Sequence, residues 1–192
     1  MSKPALRPAT PADIAAITAI YRPAVLTGTA SFELEPPGED EMLRRFRAIA
    51  EAGYPYVVAE LDGRIAGYAY VNAYRTRPGY RFTVENSVYV APDSQGRGFG
   101  RALLPPLIER CEHAGFRLMV AVIGDSANQA SIRLHEGCGF RHAGLLPAIG
   151  WKHGRWLDSV LMVRPLGPGA SDPPPPGMRS EVPRRLCSGL PH

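Results

Sequence analysis

Glu85 is a single carboxylate in an otherwise uncharged, strand-like segment, Thr83-Val84-Glu85-Asn86-Ser87-Val88-Tyr89-Val90. Burial of such a group raises its pKa and fits it to take a proton from an ammonium, directly or through water. The alternative is a structural ion pair with a nearby arginine. Just downstream, Gln95-Gly96-Arg97-Gly98-Phe99-Gly100 lies between that strand and a helical segment starting near Gly98. Glycines let the backbone approach a ligand closely, and the first helical turn presents N–H groups without intrahelical acceptors at the positive end of the helix dipole. The junction suits a pyrophosphate, and a glycine-rich surface turn has the same composition. Upstream, Arg75, Arg77 and Arg81 flank a Pro78-Gly79 turn. Their guanidinium groups could hold a carboxylate or phosphinate in paired hydrogen bonds with an amine directed at Glu85, or form a solvated loop.

Spacing separates three kinds of phosphate loop. A dinucleotide fingerprint needs G-x-G-x-x-G after the first strand of a βαβ unit, whereas here the third glycine comes one residue early and mid-chain. The string G-x-x-x-x-G-K-[ST] of nucleotide-triphosphate loops does not occur. Gln95, Gly98 and Gly100 do fit Q/R-x-x-G-x-G/A. This motif resembles the coenzyme A loop of the GCN5-related N-acetyltransferases (GNAT). The helix-like stretch Asn128-Gln129-Ala130-Ser131-Ile132-Arg133-Leu134-His135-Glu136, ending in Gly139-Phe140, resembles the N-x-x-A…G-F helix of that superfamily. Thr83–Val90, Val120-Ala121-Val122-Ile123-Gly124, Arg133–Glu136 and Lys152-His153-Gly154-Arg155-Trp156 are similar, more narrowly, to the phosphinothricin and methionine-sulfoximine acetyltransferase branch. The motifs keep one order from Leu6 to Val163.

The resemblance implies an α/β acyl-CoA N-acyltransferase fold. Its mixed, mostly antiparallel sheet has one splayed parallel strand pair and flanking helices, with acetyl-CoA between Val84–Val90 and Leu118–Ile123. It assigns Val88, Tyr89, Val90, Gln95, Gly96, Arg97, Gly98, Phe99, Gly100, Asn128 and Ser131 to the cofactor. It assigns Arg75, Arg77, Tyr80 and Arg81 to substrate, with Phe32 as a pocket wall or a core residue. Glu85 becomes the general base and the Val90 N–H an oxyanion donor. His135 stands where many relatives have a tyrosine that protonates the leaving thiolate, and imidazole can do the same. A histidine packed at a helix–sheet boundary is the other reading. No covalent enzyme intermediate is required, so Cys138 is read as core. The implied substrate is a small amino acid or analogue such as phosphinothricin, methionine sulfoximine or methionine sulfone, with a homodimeric enzyme. Another amine (a polyamine, an antibiotic or a protein N-terminus) and a non-catalytic acetyl-CoA-binding regulator remain open.

These groups must be positioned by elements legible in the pattern. Leu6–Ala9 reads as a strand, with a helix from Pro11 capped by Thr10 and carrying Ile14, Ile17 and Tyr21 on one face. Glu39–Ala52 reads as a helix with Met42, Phe46 and Ile49 inward and Arg44, Arg45 and Arg47 solvated. Asp62-Gly63 joins strands Tyr56–Leu61 and Arg64–Ala73. Along Thr83–Val90, alternation sets Glu85, Ser87 and Tyr89 against Val84, Val88 and Val90. A helix over Gly98–Ala114 contains Pro105-Pro106, an expected kink. Leu118–Ile123 is an apolar strand, and Arg141–Gly150 with Trp156–Val163 forms a final hairpin around Lys152–Arg155.

The 192 residues, 45% hydrophobic and 21% charged, suit one globular domain. That domain is expected over residues 1–164, with 165–192, bearing Pro173–Pro176, a disordered tail. Cys111, Cys138 and Cys187 support neither a disulfide framework nor a zinc site, and His113, His142, His153 and His192 form no metal-ligand pattern. No apolar run reaches a membrane span and Met1–Thr10 lacks a signal-peptide core, so a cytoplasmic protein is expected, without metal, membrane or nucleic acid. The net charge of +4 is dispersed, which suits an anionic cofactor better than a polynucleotide.

Overall fold

A computed structural model of the chain describes residues 4–174. Seven strands, β1 (Ala5–Pro8), β2 (Tyr56–Leu61), β3 (Arg64–Ala73), β4 (Thr83–Val90), β5 (Leu118–Gly124), β6 (Arg141–Lys152) and β7 (Arg155–Pro165), form one sheet. Their order is β1-β2-β3-β4-β5-β7-β6. Four α-helices, α1 (Ile14–Leu26), α2 (Glu39–Glu51), α3 (Phe99–His113) and α4 (Gln129–Glu136), accompany it. Every neighbouring pair of strands is antiparallel except β4 and β5. Those two pair from Thr83 opposite Leu118 to Asn86 opposite Ala121, and then separate. The splay is therefore a property of the sheet's centre, where both strands are held by antiparallel partners on their other sides.

Several elements form where local chemistry dictates, and their deviations have identifiable causes. The first helix begins as a 3-10 turn, Pro11–Asp13, before α1 proper. Asp13 accepts the Thr10 N–H (2.8 Å) and hydroxyl (3.0 Å) and a two-pronged contact from Arg7 (2.7 and 2.8 Å), which tightens the first turn. In α2 the stripe Met42, Phe46 and Ile49 is buried as the spacing predicts. Arg45 departs from the expected solvated face, because it bonds both Glu41 (2.7 Å) and Glu33 (2.6 Å) in the loop before α2. The hairpin strands match the pattern at Asp62-Gly63. The last hairpin is longer than expected, since the turn needs only His153 and Gly154, both at positive φ (52° and 72°).

Two faces of the sheet are covered by different helices. Leu103 of α3 packs over Gly67, whereas Tyr21 of α1 meets Tyr89 edge-on at 5.0 Å, and Tyr89 lies opposite Tyr68. Consecutive residues of a strand point to opposite faces, so α1 and α3 enclose the sheet between them. The core includes fully buried Ile17, Tyr68, Leu103, Leu104, Leu107, Met119 and Met162. Each buried aliphatic side chain contributes about 1.5–3 kcal/mol, giving the splayed strands a stiff frame. Pro105 and Pro106 lie within α3, which continues to His113. Packing runs on to Leu166, which is fully buried and donates its N–H to Arg117 O at 3.0 Å. Cys187, His192 and the expected disorder beyond residue 174 lie outside the described residues.

Candidate active site

The gap opened by β4 and β5 is a cleft of ≈ 810 Å³. Ala91 N–H bonds Ala66 O at 2.9 Å, which fixes the phase of the β3–β4 ladder: Tyr89 and Ser87 direct their N–H groups to β3, and Val88 and Val90 direct theirs toward β5. Beyond Asn86 the partner strand has left. The cleft-facing amides of Val88 and Val90 thus meet the gap, and the Gln95 side chain reaches back to Val90 O at 3.4 Å.

At the mouth of the cleft, Gly98 caps α3 with φ +86°. The first bond of the helical ladder runs from Ala102 N–H to Gly98 O at 3.0 Å, so the N–H groups of Phe99, Gly100 and Arg101 precede it. A Cβ added at Gly96 or Gly98 would meet nothing within 4 Å. This open, donor-rich cradle fits a pyrophosphate. Val88, Tyr89, Val90, Gln95, Gly96, Gly98, Phe99, Gly100, Asn128 and Ser131 all line the cleft. Arg97 does not; it lies over the Phe99 ring at 5.6 Å. Arg101 and Arg133, which the motif did not single out, stand on the wall instead. An arginine in the first turn after a glycine cradle is the signal that would have found Arg101.

Glu85 lies on the same wall, opposite Asn72 of β3. Removal from water pushes its carboxyl up to about 7, with Arg75 drawing it partly back down. Among the described residues Glu85 makes no ion pair within 4.0 Å. A carboxylate in that state divides its time between acid and base near neutrality, as proton transfer from an ammonium requires.

His135 is 3% exposed on α4, whose N-terminus is capped by Asn128 accepting from Ser131 N–H at 3.2 Å. Its Nδ1 is 2.8 Å from Ser131 O, and Nε2 is 2.9 Å from Asn86 Nδ2. A carbonyl only accepts, so Nδ1 carries the hydrogen and Nε2 of the neutral ring accepts from the Asn86 amide. Phe140 meets the ring edge-on at 4.9 Å, and burial holds its pKa below the ordinary value. Asn86 Oδ1 is then a buried acceptor without a partner. Sequence reasoning passed over Asn86, although an amide on a strand face otherwise made of Val84, Val88 and Val90 was a visible signal.

The acceptor side is gathered less completely. Phe32, 39% exposed, and Ser31 line the cleft from the loop between α1 and α2. Arg75 influences Glu85 electrostatically and lies over Tyr74 at 5.2 Å. Arg77, Tyr80 and Arg81 are not brought to the cleft wall. The 3-10 turn Pro78–Tyr80 carries this segment outward, with Tyr80 edge-on to Tyr74 (5.9 Å) and Arg81 turned to Pro78 O (3.2 Å) and the Phe82 ring (4.6 Å). Among the described residues no group of three or more His, Cys, Asp or Glu could hold a metal ion, and no helix is long and apolar enough to cross a membrane.

Comparison with known proteins agrees with this geometry. The family model described as acetyltransferase (GNAT) family matches residues 19–140. A phosphinothricin N-acetyltransferase of Alcaligenes faecalis is 55% identical over 157 residues, covering 82% of this chain and 80% of that protein. An L-methionine sulfoximine/L-methionine sulfone acetyltransferase of Salmonella typhimurium is 45% identical, covering 82% and 91%. The crystal structure of a phosphinothricin acetyltransferase from Sinorhizobium meliloti in complex with AcCoA superimposes with a TM-score of 0.89 at 49% identity, covering 92% of this chain and 96% of that one.

Proposed function

The chain belongs to the acetyltransferase (GNAT) family, and from that premise we propose that it transfers acetyl from acetyl-CoA to the amino group of a small amino acid or analogue of the phosphinothricin, methionine sulfoximine or methionine sulfone type. The observation that carries this reading is Glu85, a half-buried carboxyl pushed up to about 7, in one cleft with the glycine cradle and the Phe32 loop.

Acetyl-CoA supplies the acyl group as an activated thioester. The N–H groups at the start of α3, with Gln95, Gly96, Gly98 and Gly100, would hold its pyrophosphate. Val88, Tyr89 and Val90 would align the rest of the molecule along β4, with Asn128 and Ser131 on the opposite wall. Glu85 takes the proton of the substrate ammonium, freeing the lone pair for attack. The Val90 N–H, fixed by the strand before the reaction starts, donates to the carbonyl oxygen as charge builds there. His135 is the proposed donor to the departing sulfur in its imidazolium form, a role that requires Nε2 to release the Asn86 amide, and the second proton of the attacking nitrogen leaves to water as the adduct collapses to the amide and the thiol. Arg75 would take the acidic end of the substrate, with Arg77, Tyr80 and Arg81 joining if their loop folds inward over it. The working enzyme is proposed to be a cytoplasmic homodimer. In support, Leu145, Ile149, Trp151 and Trp156 form a largely apolar stretch on the last hairpin, each more than half exposed, and Cys111 and Cys138 are buried and not disulfide-bonded.

A panel of amines assayed by thiol release tests the reading. Amino acids should outperform alkylamines and polyamines, and Arg75→Ala should raise KM for the amino acid about ten-fold, since a charge-assisted bond contributes about 1.5–3 kcal/mol. Alkylamines should change by less than about two-fold. A wild-type preference for polyamines or peptide N-termini would overturn the substrate class, and acetyl-CoA binding without turnover on any amine would make the protein a regulator.

A further inference from the structure

The loop that carries Phe32 is fastened to the last hairpin by contacts that the reaction itself does not use. Lys152, 3% exposed at the end of β6, donates from Nζ to Ser31 O at 2.6 Å, 121 residues away in sequence. His153 Nε2 stands 3.1 Å from Gly28 O. Gly150 lies under the Phe32 ring so closely that a Cβ there would be 2.9, 3.0 and 3.1 Å from three ring carbons. Gly124, at the end of β5, is also covered: a Cβ would collide with Thr29 O and come within 3.4 Å of the ring. From the other side, Tyr21 Oη bonds Ser31 Oγ at 2.8 Å, and Arg45 holds Glu33 at 2.6 Å.

A buried lysine ammonium is costly, and a carbonyl partner across the fold is an unusual place to keep one unless the position of that carbonyl matters. Here it is the carbonyl of the residue before Phe32. We infer that Lys152 and Gly150 are positioning residues that set acceptor selectivity by seating Phe32 at a fixed depth in the cleft. Gly150 provides the floor, because any larger residue would lift the ring. Lys152 provides the tether, because its ammonium fixes the backbone from which the ring projects. The inference rests on the reading of the cleft as an amino-acid acceptor site, with Phe32 as its wall. It assigns the size limit of that site to a hairpin that contributes neither of the two residues to the cleft wall.

The test is a double-mutant cycle on the full-length protein. Gly150→Ala should shift the ratio of kcat/KM between a small and a bulky amino-acid acceptor by about five-fold or more, with acetyl-CoA KM within about two-fold. In a Phe32→Ala background the same change should shift the ratio by less than about two-fold, because no ring remains to be lifted. Lys152→Met should raise acceptor KM about ten-fold at nearly constant acetyl-CoA KM, with Lys152→Arg recovering part of it. Equal effects of Gly150→Ala in both backgrounds, or a rise in acetyl-CoA KM as large as that in acceptor KM in Lys152→Met, would overturn the inference. If Lys152→Met does not fold, the Gly150 cycle decides alone. Hydrogen exchange separates this inference from the functional reading. Faster exchange at residues 29–33 in Lys152→Met, in a protein that acetylates no amino acid, would uphold the tether and defeat the acceptor role. Unchanged exchange there would defeat the tether, whatever the activity.

Discussion

The two halves of the cleft are built in different ways. The half proposed for the cofactor comes mainly from one short stretch, Val88 to Arg101, and the groups it offers are largely backbone: the Val88 and Val90 amides at the splay and the N–H groups at the start of α3. The half proposed for the acceptor draws on the loop between α1 and α2, which is fastened to the last hairpin, and on Arg75 after β3, whose charge reaches Glu85. Backbone donors are indifferent to side-chain replacement, so such a half keeps its N–H groups when its side chains change. A pocket walled by side chains from separate segments can alter its substrate by moving one loop. Glu85 stands where the halves meet.

That division can be broken most severely at the junction. Glu85→Gln should lower kcat by about 10²–10⁴-fold while leaving acetyl-CoA affinity unchanged, and the acid limb of the pH–rate profile, where rate falls as pH drops through about 7, should disappear. Stability should move the other way. The folded-state value lies above the ordinary 4.5, so Glu85's contribution to stability is present below 4.5 and is lost as pH rises through about 7. The glutamine variant should therefore resist urea better than wild type above pH 7, by roughly 1–3 kcal/mol. A variant that is inactive yet no more stable would deny the burial cost.

Gly98→Asp tests whether the cofactor half is independent. It sets a carboxylate beside the donor-rich cradle at φ +86°, a conformation that aspartate tolerates better than most residues. Calorimetry should show acetyl-CoA affinity lower by about 10–100-fold, with acceptor KM at saturating acetyl-CoA little changed. Loss of both together would mean that the halves are not separable.

The smallest effect belongs to His135, on the wall opposite Glu85's strand. Its folded-state value lies below the ordinary 6.5, so the unfolded chain binds more protons in that range. Its stabilising effect is present above 6.5 and is lost as pH falls through 6.5 toward the lower folded value. His135→Gln, which keeps a polar partner for Asn86, should flatten the dependence of unfolding free energy on pH in that window. An unchanged slope would show that the ring titrates alike in the folded and unfolded chain, and a change of the opposite sign would show that the folded ring is charged and that the Asn86 contact is drawn the wrong way round.

The sequence by itself determined the order of the elements and the glycine junction that lines one half of the cleft. Hairpin turns, capped helices and the Gln95–Gly100 junction depend on residues within one or two turns of each other, and local sterics and N–H accounting suffice to read them. It also marked Glu85, because an acid in an apolar strand departs from its own pattern. The tertiary structure alone decided the rest. That Asn86 takes Nε2 of His135 depends on β4 and α4 meeting across 49 residues. That Arg77, Tyr80 and Arg81 turn away follows from one 3-10 turn whose direction no periodicity encodes. That Lys152 holds Ser31 requires the two ends of the domain to meet at the sheet's edge. Contacts of this kind carry no local signature: each residue type is acceptable in its own segment for many reasons, and only the packed sheet brings the two partners within hydrogen-bonding distance.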